Sequence, residues 1–401
     1  MYEQFDLIMN AKAKERREDI SAFRVAEAEK ARAFHSSFPI YKETPLVSLQ
    51  HLADELQVKR IYLKDESKRF GLNAFKVLGA SYAIANVIGE RIGKEPTELS
   101  AEKILSKETK EKLGEITFVT ATDGNHGRGV AWTANQLGQK AVVYMPEGSA
   151  LERLENIRAE GAEAEITDLN YDDAVRLAQK MAEEKGWIMV QDTAWEGYED
   201  IPRWIMQGYA TMGHEIMEQI PEKPTHIFLQ AGVGSMAGAM TGFFSNLYQE
   251  EKPTIVIVEP AKADCLYRTA KADDGKLHNV TGEMHTIMAG LACGEPCSIG
   301  WEVLKGYADA FVRCPEYVAA DGMRILAAPA KGDEAIVAGE SGAAGFGCMA
   351  HILMDTALKD WKEQLKLDEN SRILCISTEG DTDRKNYRDI VWNGKYSKYE
   401  K

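Results

Sequence analysis

Residues 116–146 read ITFVTATDGNHGRGVAWTANQLGQKAVVYMP. ITFVTAT (116–122) and AVVYMP (141–146) are β-branched, apolar runs of strand length, and residues 126 to 137 between them read as a helix. A strand, a helix and a strand on short connections make a crossover unit, so the two strands run parallel. The alternation continues on both sides. Downstream come a helix at 150–160, the strand AEAEIT (162–167), a helix at 171–185 and the strand WIMVQD (187–192). Upstream lie a charged helix at 11–34, the strand IYLK (61–64), a helix at 76–93 and a polar insert, GKEPTELSAEKILSKETKEKLGE (93–115). THIFLQA (225–231), TIVIVEP (254–260) and RILCIST (372–378) supply strands to a second, larger sheet. The expected fold is α/β with two lobes, each an open, mostly parallel sheet flanked by helices. Residues 89–214 form the small domain, and residues 1–88 with 215–401 form a discontinuous large one.

Composition narrows the function. The 401 residues carry 63 acidic and 48 basic side chains, a formal net charge of −15 that disfavours nucleic acid. MYEQFDLIMNAKAKERREDI lacks an apolar signal core and no run of about 18 apolar residues occurs, so a cytoplasmic protein without a membrane partner is expected. Six cysteines, at 265, 293, 297, 314, 348 and 375, match no zinc spacing; free thiols are the default, with a pairing of Cys265 to Cys293 or Cys297 left open. Eight histidines show no metal-ligand spacing, and no catalytic metal is expected.

Three segments carry chemistry. In GLNAFKVLGASYA (71–83), Asn73 reads as an N-cap and Lys76 falls in the first turn of a helix that is apolar nearly all round. Desolvation and the positive end of the helix would lower its pKa, as a lysine attacking a carbonyl to form a Schiff base requires; a snorkelling lysine is the alternative. In TATDGNHGRGVAW (120–132), Gly124, Gly127 and Gly129 leave backbone N–H groups free for a ligand carboxylate. There Asn125 offers a donor and an acceptor, and Asp123 is either a cap or an acid with its own task. His126 reads as structural. AGVGSMAGA (231–239) opens a helix after a strand. Gly232, Gly234 and Ala237 with Glu259 fit a dinucleotide site, but the same amides with Ser235 would cradle a single phosphate, and this loop alone leaves both open. Glu340, in GESGAAG, either caps a helix or faces a cofactor.

In chain order, these segments and the strand end S-T-E-G resemble the fold type II pyridoxal-phosphate enzymes, the tryptophan synthase β-like family that includes serine and threonine dehydratases. The likeness runs from Thr44-Pro45-Leu46 to Gly380. It implies pyridoxal 5′-phosphate as cofactor, Lys76 as the Schiff-base lysine and Asn125 on the phenolic oxygen. It also implies Gly232, Val233, Gly234, Ser235 and Met236 around the phosphate, Thr378 near the pyridine nitrogen, and a homodimer. Two motifs depart from the dehydratases: Ala74-Phe75-Lys76-Val77-Leu78-Gly79-Ala80 replaces Ser-Phe-Lys-x-Arg-Gly-Ala, and Thr122-Asp123-Gly124-Asn125-His126 replaces Ser-Ala-Gly-Asn-His. With Asp192 in VQDTAWEGYEDIP (190–202) and the stretch GEMHTIMAGLACGEP (282–296), the chain looks most like the branch of the family that acts on 2,3-diaminopropionate. That branch is a carbon–nitrogen lyase, giving pyruvate and ammonia by α,β-elimination from both D and L isomers. Lys76, Asp123 and Asp192 are then the catalytic residues, with Thr122, Asp123, Gly124 and Asp192 at the substrate. The chemistry agrees, because a β-ammonium in place of a hydroxyl calls for acids that a hydroxy-amino-acid site lacks. A serine or threonine dehydratase-type ammonia-lyase and, behind it, a nicotinamide-dependent dehydrogenase are the alternatives.

Overall fold

A computed structural model describes residues 5–15 and 18–398. Its strands are β1 (Asp6–Met9), β2 (Leu46–Ser48), β3 (Arg60–Asp65), β4 (Thr117–Ala121), β5 (Lys140–Met145), β6 (Glu163–Ile166), β7 (Ile188–Met189), β8 (His226–Gln230), β9 (Thr254–Pro260), β10 (Ala310–Cys314) and β11 (Arg372–Ser377). They form two sheets, one ordered β1-β10-β9-β8-β11-β3-β2 and one ordered β6-β5-β4-β7. Every pairing is parallel except β1 on β10 and β2 on β3, so antiparallel strands close both edges of the larger sheet. Helices cover the faces, and the central strands are accordingly apolar on both sides: Ile227, Phe228 and Leu229 of β8 and Ile255 to Val258 of β9 are fully buried.

Besides the strand expected over 187–192, of which only Ile188–Met189 forms, the chain departs from the expected elements in three places. The charged helix expected over 11–34 is interrupted: short 3₁₀ turns span Ala11–Lys14 and Ser21–Phe23, and the α-helix covers only Val25–Ser36. Asp19 accepts the Ser21 N–H at 2.8 Å, a local turn that competes with the helix; residues 16 and 17 lie outside the described residues. The polar insert at 93–115, for which no element is expected from the sequence, carries two short helices. Ser100 and Ser106 cap helices Ala101–Ile104 and Lys107–Leu113 through the N–H groups of Lys103 and Thr109.

The third departure concerns Asn73, which does not cap a helix. Its φ is +61°, and its carbonyl accepts the Gly380 N–H at 3.0 Å. Ala74 bridges Glu379, and the Phe75 N–H donates to the Thr378 carbonyl at 3.1 Å. Residues 73–75 are thus pinned to the end of β11. The helix begins at Val77, runs to Ile92, and is buried on all sides from Val77 to Gly89, leaving Lys76 as its N-cap residue. Helix Asp200–Gln219 crosses it closely. A Cβ on Gly208 would fall 2.4 Å from the Leu78 carbonyl oxygen, and one on Gly79 2.5 Å from Tyr209 Cε1.

The crossing helix is also tied to β3 by charge. Glu215 lies 2.6 Å from Lys64 Nζ and 2.7 Å from Arg69 Nη1, and Arg69 Nε lies 2.9 Å from Glu66, with all four side chains fully buried. Thr44 and Gln219 satisfy the remaining donors of Lys64.

Candidate active site

Four strand ends converge on one narrow cavity. Lys76 enters after the pinned turn on β11, Asn125 from the loop after β4, Asp192 from the segment after β7, and residues 231–236 from the loop after β8; Thr378 closes it beside Glu379. The sequence-predicted residues Lys76, Asn125, Asp192, Gly232, Val233, Gly234, Ser235, Met236 and Thr378 all line this space. Such convergence at carboxyl ends of parallel strands is where open α/β sheets bind ligands.

Lys76 Nζ lies 2.6 Å from Asp192 Oδ2. Burial alone would pull the pKa of Lys76 down, as the sequence suggests, but the Asp192 carboxylate overcomes it and pushes it up. The expected depression is therefore wrong for the protein alone, because it took the desolvation into account without the acid. Burial would likewise raise Asp192, and the His126 ring and Lys76 ammonium hold it down at about 2. Tyr171 donates to Asp192 Oδ1 at 3.3 Å, and Gln191 Nε2 donates to the Tyr171 hydroxyl at 3.0 Å. His126 is buried with Nε2 on the Val190 carbonyl at 2.7 Å, and its Nδ1 is 3.9 Å from Asp192.

The glycine loop presents donors. Gly234 has φ +100°, which favours glycine, and helix Ser235–Tyr248 follows it. Among the described residues, the backbone N–H groups of Gly232 to Ala237 have no partner, the arrangement that holds a phosphate. A Cβ on Gly232 would meet Leu291 Cα at 3.1 Å and Cys293 Sγ at 3.2 Å. Ser235 Oγ donates to the Asp192 carbonyl at 2.5 Å, joining this loop to the acid. Thr378 Oγ1 accepts from Gln230 Nε2 at 3.0 Å, so its own proton is available to a ring nitrogen. The residues present therefore fit pyridoxal phosphate: an amine, a phosphate cradle, and neutral side chains for the ring's polar atoms.

A dinucleotide does not fit. Glu259, which that reading needs at a ribose, is fully buried and accepts the N–H groups of Leu266 and Tyr267 at 2.8 and 2.6 Å, where it anchors helix Cys265–Ala272.

A wider cavity of about 730 Å³ adjoins the narrow one, and Tyr171 lines both. Asp123 belongs to this wider space, where its Oδ2 lies 3.2 Å from Arg153 Nη1. A Cβ on Gly290, which borders the narrow cavity, would lie 3.6 Å from the same Asp123 oxygen. Thr122 and Gly124 line neither cavity: the Thr122 hydroxyl accepts the Gly124 N–H at 2.9 Å, and Gly124 packs on the Arg153 stem. That hydrogen bond shapes the loop that carries Asp123 and Asn125. Glu340 faces the wider cavity rather than the narrow one, accepting from Asn386 Nδ2 at 2.5 Å. Burial pushes its carboxyl up to about 7, with Arg153 opposing and Glu379 assisting.

Sequence reasoning missed Tyr171, Tyr209, Glu379 and Arg153. Tyr209 is buried against Phe75, ring centroids 4.7 Å apart, and its hydroxyl has no partner among the described residues. Glu379 accepts from Asn125 Nδ2 at 2.5 Å. The S-T-E-G strand end signalled Glu379; the tyrosines sit in helices whose pattern reads as core, and nothing local singles out Arg153. All six cysteines are free. Among the described residues no helix is long and apolar enough to cross a membrane.

Comparison with known proteins places this geometry. Residues 38–379 match the family described as pyridoxal-phosphate dependent enzyme. The diaminopropionate ammonia-lyase of Salmonella typhimurium is 54% identical over 368 residues, 90% of this chain and 91% of that protein. The diaminopropionate ammonia-lyase of Escherichia coli, solved in complex with D-serine, superposes with a TM-score of 0.90 at 47% identity, covering 98% of this chain and 97% of that one. The same enzyme solved with an aminoacrylate-PLP azomethine reaction intermediate gives 0.89 at 47% identity and covers 98% of each chain.

Proposed function

The chain belongs to the pyridoxal-phosphate dependent enzymes and, among them, to the diaminopropionate ammonia-lyases, and from that premise we propose how its own residues divide the reaction. It is a carbon–nitrogen lyase that uses pyridoxal 5′-phosphate to convert 2,3-diaminopropionate to pyruvate and ammonia. When bound, the cofactor supplies a carbonyl carbon for the α-amine and an electron-withdrawing ring that acidifies the Cα–H. Lys76 would hold it covalently, the amides of Gly232 to Met236 and Ser235 would hold its phosphate, Asn125 its phenolic oxygen and Thr378 its ring nitrogen. A neutral hydroxyl at that nitrogen favours loss of the β-amine over transamination.

The observation that carries the assignment is the buried Lys76–Asp192 pair, 2.6 Å apart at the mouth of the glycine loop. Asp192 is ionised and close enough to exchange a proton with Lys76 and to hold a β-ammonium. Lys76 takes the Cα proton on its own face. Asp123, across the Gly290 segment, takes it on the other, which is the face presented when the configuration at Cα is reversed. D-Serine bound by the Escherichia coli enzyme supports acceptance of D substrates. Breaking Cα–H and Cβ–N releases one ammonia; the freed enamine adds water and sheds the second as pyruvate forms. We read residues 89–214 as the small domain, with 1–88 and 215–401 as the large one. A homodimer and a cytoplasmic location complete the proposal, the free cysteines agreeing with a reducing compartment.

Steady-state release of pyruvate from each isomer tests the roles. Lys76→Ala should abolish both activities and the cofactor-linked visible absorption. Asp123→Asn should lower D turnover by about 10² or more and L turnover much less. Equal losses on the two isomers would remove Asp123 as the second base.

A further inference from the structure

Arg153 stands outside the roles assigned so far, yet it is built into the Asp123 loop from two directions. Its side chain, 5% exposed, comes from helix Leu151–Ala159, and its Nη1 meets Asp123 Oδ2 at 3.2 Å. Its aliphatic stem lies under the loop itself: a Cβ on Gly124 would be 2.9 Å from Arg153 Cδ. The other arm, Nη2, is 3.9 Å from Glu340 Oε2, and Glu379 and Asp383 add to the negative field around the guanidinium. Its Nε is buried without a partner among the described residues, so the group is held by carboxylates at its tip and by packing along its stem.

We infer that Arg153 is the positioning residue for Asp123, fixing the carboxylate's direction toward the Gly290 side of the cavity and thereby setting turnover of the D isomer. This rests on the reading of Asp123 as the base for that isomer. Without the guanidinium, Asp123 loses its ion pair while the Glu379 carboxylate still repels it, and Asp123 can swing into the solvent of the wider cavity. Among the described residues, the Asp123 carboxylate has no ion pair besides the one to Arg153. Misdirection of a base by about 1 Å costs on the order of 10²-fold in rate. Lys76 and Asp192 are held by each other and by Ser235 and Tyr171, so turnover of the L isomer does not depend on Arg153.

The test is kinetics of the holoenzyme on both isomers for Arg153→Met, Arg153→Lys, Asp123→Asn and Asp123→Asn/Arg153→Met. Arg153→Met should lower D kcat by about tenfold to a hundredfold, with KM and the L parameters within about threefold of the parent. Arg153→Lys should recover part of the D rate, because a point charge restores attraction without the planar fork. In the Asp123→Asn background, Arg153→Met should cause no further loss on D, since a positioning residue has nothing left to position. Equal losses on D and L, or a full additional loss in the Asp123→Asn background, would overturn the inference. If Arg153→Met fails to fold, the D-to-L ratio of Arg153→Lys decides alone: a ratio equal to the parent's overturns it. Failure of the underlying reading looks different, for then Asp123→Asn itself lowers D and L alike.

Discussion

Glu340 shows how a single side chain couples the cavity to stability. Its carboxyl, ordinarily near 4.5, is pushed up to about 7 by burial. Between those values the folded protein keeps a proton that the unfolded chain has released, so stability falls as pH rises from about 4.5 to about 7 and is then level. The total is about 3 kcal/mol at most. Glu340→Gln should remove Glu340's share of this slope, which urea midpoints at pH 5 and pH 8 would reveal, while Asp172, pushed up to about 6 by burial, and Glu259, also pushed up by burial, keep theirs; a slope in the variant equal to the parent's would refute the assignment. Legibility at this scale follows local chemistry. Lys76 stands out as a cation in an apolar helix start, and Asn125 and Ser235 stand beside glycines that strip a loop bare. Asp192, Tyr171 and Arg153 owe their environment to segments far away in the chain, so the direction of the Lys76 shift could not be read from residues 71–83 alone.

Among elements, the crossing of helices Val77–Ile92 and Asp200–Gln219 sets where Lys76 stands. Gly208→Ala gains about 1 kcal/mol of helix propensity. Against this, the added Cβ would lie 2.4 Å from the Leu78 carbonyl oxygen and 2.9 Å from Gly79 Cα, backbone atoms that cannot turn aside. Overpacking, at about 1–3 kcal/mol, should win, and the helices should part. The variant should unfold at lower denaturant and bind pyridoxal phosphate more weakly, as titration of cofactor-free protein would measure; unchanged affinity would mean that the crossing does not position the lysine. Some helices and central strands were legible because their periodicity is carried by their own residues, whereas helix Asp200–Gln219 and interior strand β10 were not read from the sequence. Helix Tyr171–Lys185 and strand Thr254–Pro260 lie where the pattern puts them. Strand β1 was not, since four residues at an edge are made a strand by β10, some 300 positions on.

At the scale of the molecule, the net charge of −15 is felt at the entrance. Asp123, Glu147, Asp168, Asp173, Glu283 and Glu316 line the wider cavity, where Arg153 and Lys262 are the cations. Diaminopropionate carries a second amine that serine lacks, and a negative vestibule concentrates the more cationic substrate. Raising salt from about 0.02 to 0.3 M should therefore lower kcat/KM for diaminopropionate several-fold in the parent and less in a variant with Asp168, Asp173 and Glu283 neutralised to the amides, because screening shortens to within the cavity's width. Equal sensitivity would show that the vestibule's field plays no part in selection. The buried set of Lys64, Arg69, Glu66 and Glu215 has a consequence on a longer timescale. Deleting one member strands a partner charge and costs about 3–5 kcal/mol, whereas four well-packed apolar residues would serve about as well. Either arrangement is sound and every intermediate is not. A lineage drifting by single substitutions is thus confined to these four residues, although none of them lines the cavity where the chemistry takes place.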